Sequence, residues 1–150
     1  MTASTLTVPP ELFVEDETGW LEMTAQLVAE GRFQELDWDN LREYLSDMAR
    51  RDRREAANRL LVLLVHLLKW KAQPDHRSRS WELTIFRQRA ELRDLLESRT
   101  LRNHVEEILA QRFNRAIKEA SLETGLPESS FPSTLTRSLD ELLRDGDNGI

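Results

Sequence analysis

Apolar residues recur at spacings of three and four along most of the chain, which is the period of an amphipathic helix. No stretch alternates apolar and polar residues as a half-buried strand would. The pattern predicts an all-α fold, a single-domain helical bundle of about five helices with mostly antiparallel neighbours. The bundle would span residues 16–144, between a disordered lead over residues 1–15 and a flexible tail over residues 145–150.

Two helices are predicted in the first third of the chain. Thr18 is the expected N-cap of the first, which runs to Glu30 and ends at Gly31, and Asp37 is the expected N-cap of the second. The positions predicted to face the core are Trp20, Met23, Thr24, Leu27 and Val28 in the first helix and Leu41, Tyr44, Leu45 and Met48 in the second, with Phe33 covering the end of the first.

The apolar pattern of the second helix is interrupted near Arg51. Asp52, with Glu55 three residues on, resembles a capping box, so we expect a break or kink there, with helix resuming to about Ala72. The segment RLLVLLVHLLKW is apolar almost all round, which is typical of the central helix of a bundle.

The remaining helices are predicted from residues that typically start or end a helix. Pro74 predicts a turn, after which Ser78 or Ser80 caps a helix over about residues 79–98. Thr100 is the expected cap of the next helix, and Gly125 is its expected C-terminal glycine. Finally, SLDE at residues 138–141 is a capping box that opens a short last helix.

Four segments carry a family resemblance: TGWLEMTAQLVAEGRFQELDWDNL, HLLKWKAQPDHRSRSWELTI, LETGLPESSFP and the closing SLDELL. With them, residues 16–144 resemble the bacterial family called domain of unknown function 29. The resemblance implies an all-helical domain. It implies no activity and no catalytic residues.

Charge is unevenly distributed. Residues 1–49 hold 2 Lys/Arg against 11 Asp/Glu, whereas residues 50–93 hold 12 against 5. The acidic first third and the basic middle of the chain either neutralise each other by helix pairing or leave a basic binding face. The chain has no cysteine, which excludes disulfides and thiolate chemistry and is consistent with a cytoplasmic location. We expect neither a membrane segment nor a secretion signal.

The turn around Pro74 concentrates cations. Lys69 and Lys71 lie at a helix C-terminus, but Arg77 and Arg79 lie at a helix N-terminus, where the dipole favours an anion instead. That anion is either an acidic side chain of the first third or a phosphate held with two serines. The predicted binding residues are Lys69, Lys71, Arg77, Ser78, Arg79 and Ser80.

Arg59 and His66 are the only catalytic candidates. Their Arg-x6-His spacing resembles that of HEPN-type ribonuclease toxins, in which His activates a ribose hydroxyl and Arg stabilises the phosphorane. A core histidine, hydrogen-bonded through one ring nitrogen, is the simpler interpretation of His66. The three histidines share no ligand spacing, so we expect no metal, and no other cofactor is indicated.

The function predicted first is a non-enzymatic protein-interaction or regulatory module, acting on an unknown protein partner or as a homodimer. Nucleic-acid or anion binding through the Lys69–Arg79 loop is the second prediction. A ribonuclease using Arg59 and His66 is the third.

Overall fold

The structure is a computed structural model, and it describes residues 8–150. Over these residues the chain is helical and has no strand, so the all-α prediction is confirmed. The α-helices are α1 (Leu12–Glu15), α2 (Glu17–Ala29), α3 (Trp38–Ala72), α4 (Arg79–Leu95), α5 (Arg99–Thr124) and α6 (Leu139–Leu142), with 3-10 turns at Phe33–Glu35, Pro74–His76 and Glu128–Ser130.

Two compact units make up the fold: unit 1, up to Arg50, and unit 2, from Arg51 to Ile150. Each has its own apolar cluster. The predicted extent of one bundle domain, residues 16–144, stays a prediction beside this division.

Trp20 is the centre of unit 1. Its side chain is completely buried, with the ring of Phe13 edge-on at 4.9 Å and the ring of Tyr44 tilted at 6.0 Å. Its indole Nε1 donates to Asp37 Oδ2 at 3.2 Å, so the one polar atom of the ring has a partner. The other buried members of this cluster are Val8, Leu27 and Leu36.

Helix α2 begins one residue earlier than predicted because Asp16, and not Thr18, is its N-cap. Asp16 Oδ1 accepts a hydrogen bond from the Gly19 amide at 3.0 Å. A Cβ at Gly19 would lie 2.5 Å from Asp16 Oδ2, so a larger residue at this position would displace the capping carboxylate.

Part of the predicted lead over residues 1–15 contacts unit 1. Val8 is buried in the unit 1 cluster, and its amide donates to the Glu35 carbonyl at 3.3 Å. Helix α1 follows at residues 12–15. The disorder of the lead stays a prediction, and residues 1–7 lie outside the described part of the chain.

The predicted break near Arg51 was wrong, because α3 is continuous from Trp38 to Ala72. Its side chains from Arg51 to Arg54 are all exposed. The gap in the apolar pattern marks a solvated turn of helix, and arginine is a good helix former that needs no core contact to remain helical. The capping-box pattern of Asp52 and Glu55 therefore does not interrupt α3, in a segment that contains neither Pro nor Gly.

Unit 2 is built around the second half of α3, as the all-apolar segment predicted. The Leu60, Leu63, Leu64, Leu67 and Leu68 side chains have no solvent exposure. They join one cluster with residues of α4, α5 and α6, namely Ile85, Leu92, Val105, Phe113, Ala116 and Leu142. Burial on almost every side of one helix requires neighbours around it.

Local caps fix the ends of the unit 2 helices. Ser78 caps α4, Gly125 ends α5 with φ +74°, and Ser138 caps α6, as predicted. The cap of α5 is Ser98, whose side chain accepts from the Leu101 amide, so the prediction of Thr100 was wrong.

Two arginines contact the C-terminal segment, for which the sequence predicts a flexible tail over residues 145–150. That flexibility stays a prediction. Arg93 binds Asp145 at 3.1 Å, and Arg137 binds Asp147 at 2.5 Å. Ile150 packs against the unit 2 core. Neither the charges nor the spacing of the tail residues reveals these partners, because Arg93 lies on α4, 52 residues from Asp145, and Arg137 lies in the loop before α6.

Candidate functional site

Lys69 is occupied by contacts within unit 2. Its Nζ lies 2.9 Å from Glu123 Oε2 and 4.6 Å from the ring centre of Trp81. Only 14% of its side chain is exposed. A lysine held by a carboxylate and an aromatic face has little capacity left for a further anion.

Lys71 and Arg77 are brought together in a cleft of about 520 Å³, here called the Lys71–Arg77 cleft. Lys71 Nζ donates to the Ile150 backbone oxygen at 2.9 Å. Arg77 Nε donates to the Trp70 carbonyl at 2.8 Å, and its guanidinium lies over the Trp70 ring at 4.8 Å. The other lining residues are Thr136, Arg137, Asn148 and Gly149.

Ser78, Arg79 and Ser80 do not line this cleft. Ser78 Oγ accepts from the Trp81 amide at 3.2 Å, and the Ser80 carbonyl accepts from Thr84 Oγ1 at 3.0 Å. All three residues are exposed. The predicted binding residues therefore do not form one site: Lys71 and Arg77 line the cleft, whereas Ser78, Arg79 and Ser80 lie at the start of α4. Lys69 is paired with Glu123. That any of them binds a ligand stays a prediction.

Arg59 and His66 have separate partners on α3. Arg59 Nη2 lies 3.0 Å from Glu55 and 3.8 Å from Glu91, and its Nε also donates to Glu55. His66 is half-buried, and its Nδ1 donates to the Val62 carbonyl at 2.8 Å. Burial lowers the pKa of the His66 imidazole, and nearby Lys69 lowers it further, against the raising effect of the Val62 carbonyl and Glu123.

The two catalytic candidates lie seven residues apart on one helix, which corresponds to about 10 Å along the axis. No contact joins them. Arg59 is paired with two carboxylates, and His66 has the carbonyl partner of the simpler interpretation. Their catalytic role stays a prediction.

Unit 1 exposes large apolar side chains. Leu45, which the sequence pattern placed in the core, is 59% exposed, and Phe33, which it placed over a helix end, is 53% exposed. Trp38, for which the sequence made no prediction, is 57% exposed. Trp38 Nε1 donates to the Phe33 carbonyl at 3.0 Å, and Trp38, Leu41 and Leu45 line one groove of about 480 Å³. We call these four residues the Trp38 face. Met23 and Val28, also predicted to be buried, are exposed on α2.

One family model matches almost the whole of this helical chain. The model of the family described as domain of unknown function DUF29 matches residues 12–146. The chain belongs to this family. The resemblance seen in the sequence is thereby confirmed, and the match covers α1 through α6. Searches among curated proteins and among solved structures found no match.

The most deeply buried charge of this DUF29 domain, Arg89, was missed by sequence reasoning. Its side chain is 2% exposed, and it donates through Nε to the Leu142 carbonyl at 2.8 Å. Its Nη atoms donate to Asn148 Oδ1 and to the Asp147 carbonyl. Burial lowers the pKa of this guanidinium, although the carboxylates of Asp145 and Asp147 oppose that effect. Arg89 thus ties α4 to the C-terminal segment.

A signal for Arg89 exists in the sequence. It lies four residues after Ile85 and three before Leu92, which is the register of the buried stripe of α4. An arginine at such a position is buried only with partners for its donors. The partners themselves could not be found from the sequence.

Two further features of this DUF29 domain bear on its chemistry. No group of three His, Asp or Glu side chains within residues 8–150 could hold a metal ion. None of the helices in that range combines the length and the apolar character needed to cross a bilayer.

Proposed function

We propose that this DUF29 protein is a non-enzymatic interaction module that binds a partner through the Trp38 face. The observation that carries the proposal is that Trp38 and Leu45 line one groove with Leu41 and are each more than half accessible. Phe33, whose carbonyl accepts from Trp38 Nε1, is also more than half accessible. Aromatic anchors beside a groove are characteristic of binding energy concentrated in a few residues. A contiguous apolar patch of this kind marks an interaction site more often than scattered exposed leucines do.

Charge identifies the class of partner. Residues 8–50 carry 11 Asp/Glu and 3 Lys/Arg, so unit 1 as a whole is strongly acidic, while the groove itself is lined by one acidic residue, Asp39, and one basic residue, Arg42. A basic amphipathic helix would place apolar side chains in the groove and would be attracted by the net negative charge of unit 1. A second copy of unit 1 would instead bring together two surfaces of the same sign, which disfavours a homodimer through this face.

The test uses a labelled helical peptide with a leucine stripe and a lysine face, measured by fluorescence anisotropy. A matched peptide with glutamate in place of lysine tests the charge argument. Wild type is compared with Trp38→Ser/Leu45→Ser and with Leu83→Ser/Phe86→Ser, a control that removes two similarly exposed apolar residues from α4.

We expect the lysine peptide to bind wild type and the α4 control equally. The Trp38→Ser/Leu45→Ser variant should bind at least about tenfold more weakly, since the truncation of one anchor costs more than about 1 kcal/mol. Equal binding by all three proteins, or a preference for the glutamate peptide, would contradict the proposal. Concentration-dependent sedimentation of wild type alone would indicate self-association instead.

Nucleic-acid binding through the Lys69–Arg79 loop is the second candidate. Its support is that Arg77 and Arg79 have no carboxylate within ion-pair distance among the described residues. Retention on random RNA and DNA at low and moderate salt, with an Arg77→Ala/Arg79→Ala variant alongside, tests it, because phosphate contacts by cations make affinity depend on salt.

The ribonuclease hypothesis has less support. Arg59 is paired with Glu55 and Glu91, and its guanidinium would have to exchange these partners for a scissile phosphate. RNA cleavage that is present in wild type and lost in His66→Gln would revive this hypothesis.

A further inference from the structure

One side of α5 lines a groove that belongs wholly to unit 2. The lining residues of α5 recur at spacings of three and four from Glu106 to Lys118, which keeps them on one side of the helix for about three turns. Residues of the 128–137 segment form the other wall. The groove consists of two clefts, of about 760 and 420 Å³, that share Asn114 and Ser133. We call it the α5 groove.

The wall opposite α5 has a backbone without hydrogen bonds. Residues 132–137 form no helix or strand, and none of their amides and carbonyls has a hydrogen-bond partner within residues 8–150. Backbone groups of this kind are satisfied by water in the free protein, and they can pair with the backbone of another chain. This wall therefore resembles the open edge of a sheet in its hydrogen-bonding capacity.

Asn114 lies where the two clefts meet. It is exposed, and its side-chain amide has no hydrogen-bond partner in the part of the chain that the structure describes. An asparagine amide offers one acceptor oxygen and an NH₂ donor, which complement the N–H and the C=O of a peptide backbone. Both walls of the groove thus supply groups that can bind a peptide backbone.

The rest of the lining favours an occupant that is uncharged and partly apolar. Leu109, Phe131 and Leu135 line the groove and belong to, or pack against, the unit 2 core. The charged residues of the lining are two acidic and two basic ones, namely Glu106, Glu128, Lys118 and Arg137. Because these charges cancel, the groove has no net charge to attract a phosphate group or a nucleic acid.

From this arrangement we propose that the α5 groove binds an extended, uncharged peptide segment of another protein. An extended segment has unbonded N–H and C=O groups to pair with residues 132–137 and Asn114, whereas a helix has already bonded its own. The stretch of α5 from Glu106 to Lys118 measures about 18 Å at 1.5 Å per residue. About five extended residues, at roughly 3.3 Å each, fit that length.

The test is a selection from a displayed library of random heptapeptides. The bait is the whole chain with Trp38→Ser/Leu45→Ser, which removes binding through the Trp38 face. An enriched peptide is then synthesised with a fluorescent label, and its affinity is measured by anisotropy. A second version of that peptide, N-methylated at alternate residues, keeps the side chains and removes backbone donors.

Two variants alter the groove. Asn114→Ala removes the central amide, and Ala110→Trp fills the smaller cleft. Each has a matched control on α5 that does not line the groove, Asn103→Ala for the first and Gln111→Trp for the second. All four residues are exposed, so the substitutions should leave the fold intact, as circular dichroism would show.

We expect the selected peptide to bind wild type and both control variants equally. Asn114→Ala should lose about tenfold in affinity with its hydrogen bonds to the peptide backbone, and Ala110→Trp should lose at least as much by occupying the cleft. N-methylation should weaken binding by at least about tenfold. In wild type, the peptide should shift the amide ¹⁵N–¹H signals of residues 133–137 and leave the Trp38 indole signal in place.

Failure to enrich any peptide above a surface without protein would overturn the proposal. So would enriched peptides that bind Asn114→Ala and Ala110→Trp as tightly as wild type, or that keep their affinity when N-methylated. Peptides that become helical on binding would overturn it too, and would favour a helical partner. Since the bait lacks the Trp38 face, this proposal and the proposed function fail independently.

Discussion

Replacement of Arg89 by methionine should loosen the attachment of the C-terminal segment to α4, leaving the contacts of Arg93 with Leu143 and Asp145. The change removes three hydrogen bonds from a charged donor, to Leu142, Asp147 and Asn148, and keeps most of the side-chain volume. Each such bond is worth about 1.5–3 kcal/mol. The gain must be set against the desolvation of a guanidinium that is 2% exposed, which costs several kcal/mol.

The expected net loss is about 2–4 kcal/mol in the free energy of unfolding, measured by urea denaturation followed by circular dichroism. Arg89→Lys should be at least as destabilising, because one ammonium keeps the desolvated charge and cannot reach all three acceptors. Hydrogen exchange should accelerate at the Gly149 amide, which donates to Asp147 Oδ1.

Arg87→Met is the matched control, since Arg87 is exposed two residues away on the same helix. Exposed substitutions usually change stability by no more than about 0.5 kcal/mol. If Arg89→Met were as stable as Arg87→Met, the three hydrogen bonds would do no more than offset the cost of burying the guanidinium. The inference that Arg89 holds the segment would then be refuted.

Three further predictions concern stability. Ser98→Ala should lose about 1 kcal/mol on urea denaturation because it removes the cap of α5, whereas Thr100→Ala should lose clearly less; the reverse order would restore Thr100 as the cap. Gly125→Ala should lose about 1 kcal/mol in the same assay, because alanine is strained at φ +74°, and an unchanged midpoint would contradict this. His66 has a folded-state pKa below its ordinary value of 6.5, so the unfolded chain binds the proton more readily and stability should fall as pH drops below about 6.5. His66→Gln should remove that part of the pH dependence, and a pH profile equal to that of wild type would argue against the assignment.

Most of the helices could be predicted from the sequence because their signals are local. The Ser78 and Ser138 caps and the Gly125 stop act within one helical turn, and the apolar run of α3 requires burial wherever it is placed. Where two local signals competed, sequence reasoning failed. Ser98 and Thr100 are both suitable caps, and only the backbone positions decide between them.

Exposure and long-range partners were decided by the tertiary structure. Leu41 and Leu45 belong to the same apolar stripe, yet Leu41 packs on the core of unit 1 and Leu45 is 59% exposed. The acceptors of Arg89 lie 53 to 59 residues along the chain. Periodicity states which residues share a face of a helix, but not how far the neighbouring elements cover that face. Hydrogen-bond partners are likewise set by the packing of distant segments, so the Arg89 contacts to the C-terminal segment and the Trp38 face emerge only once the chain is folded.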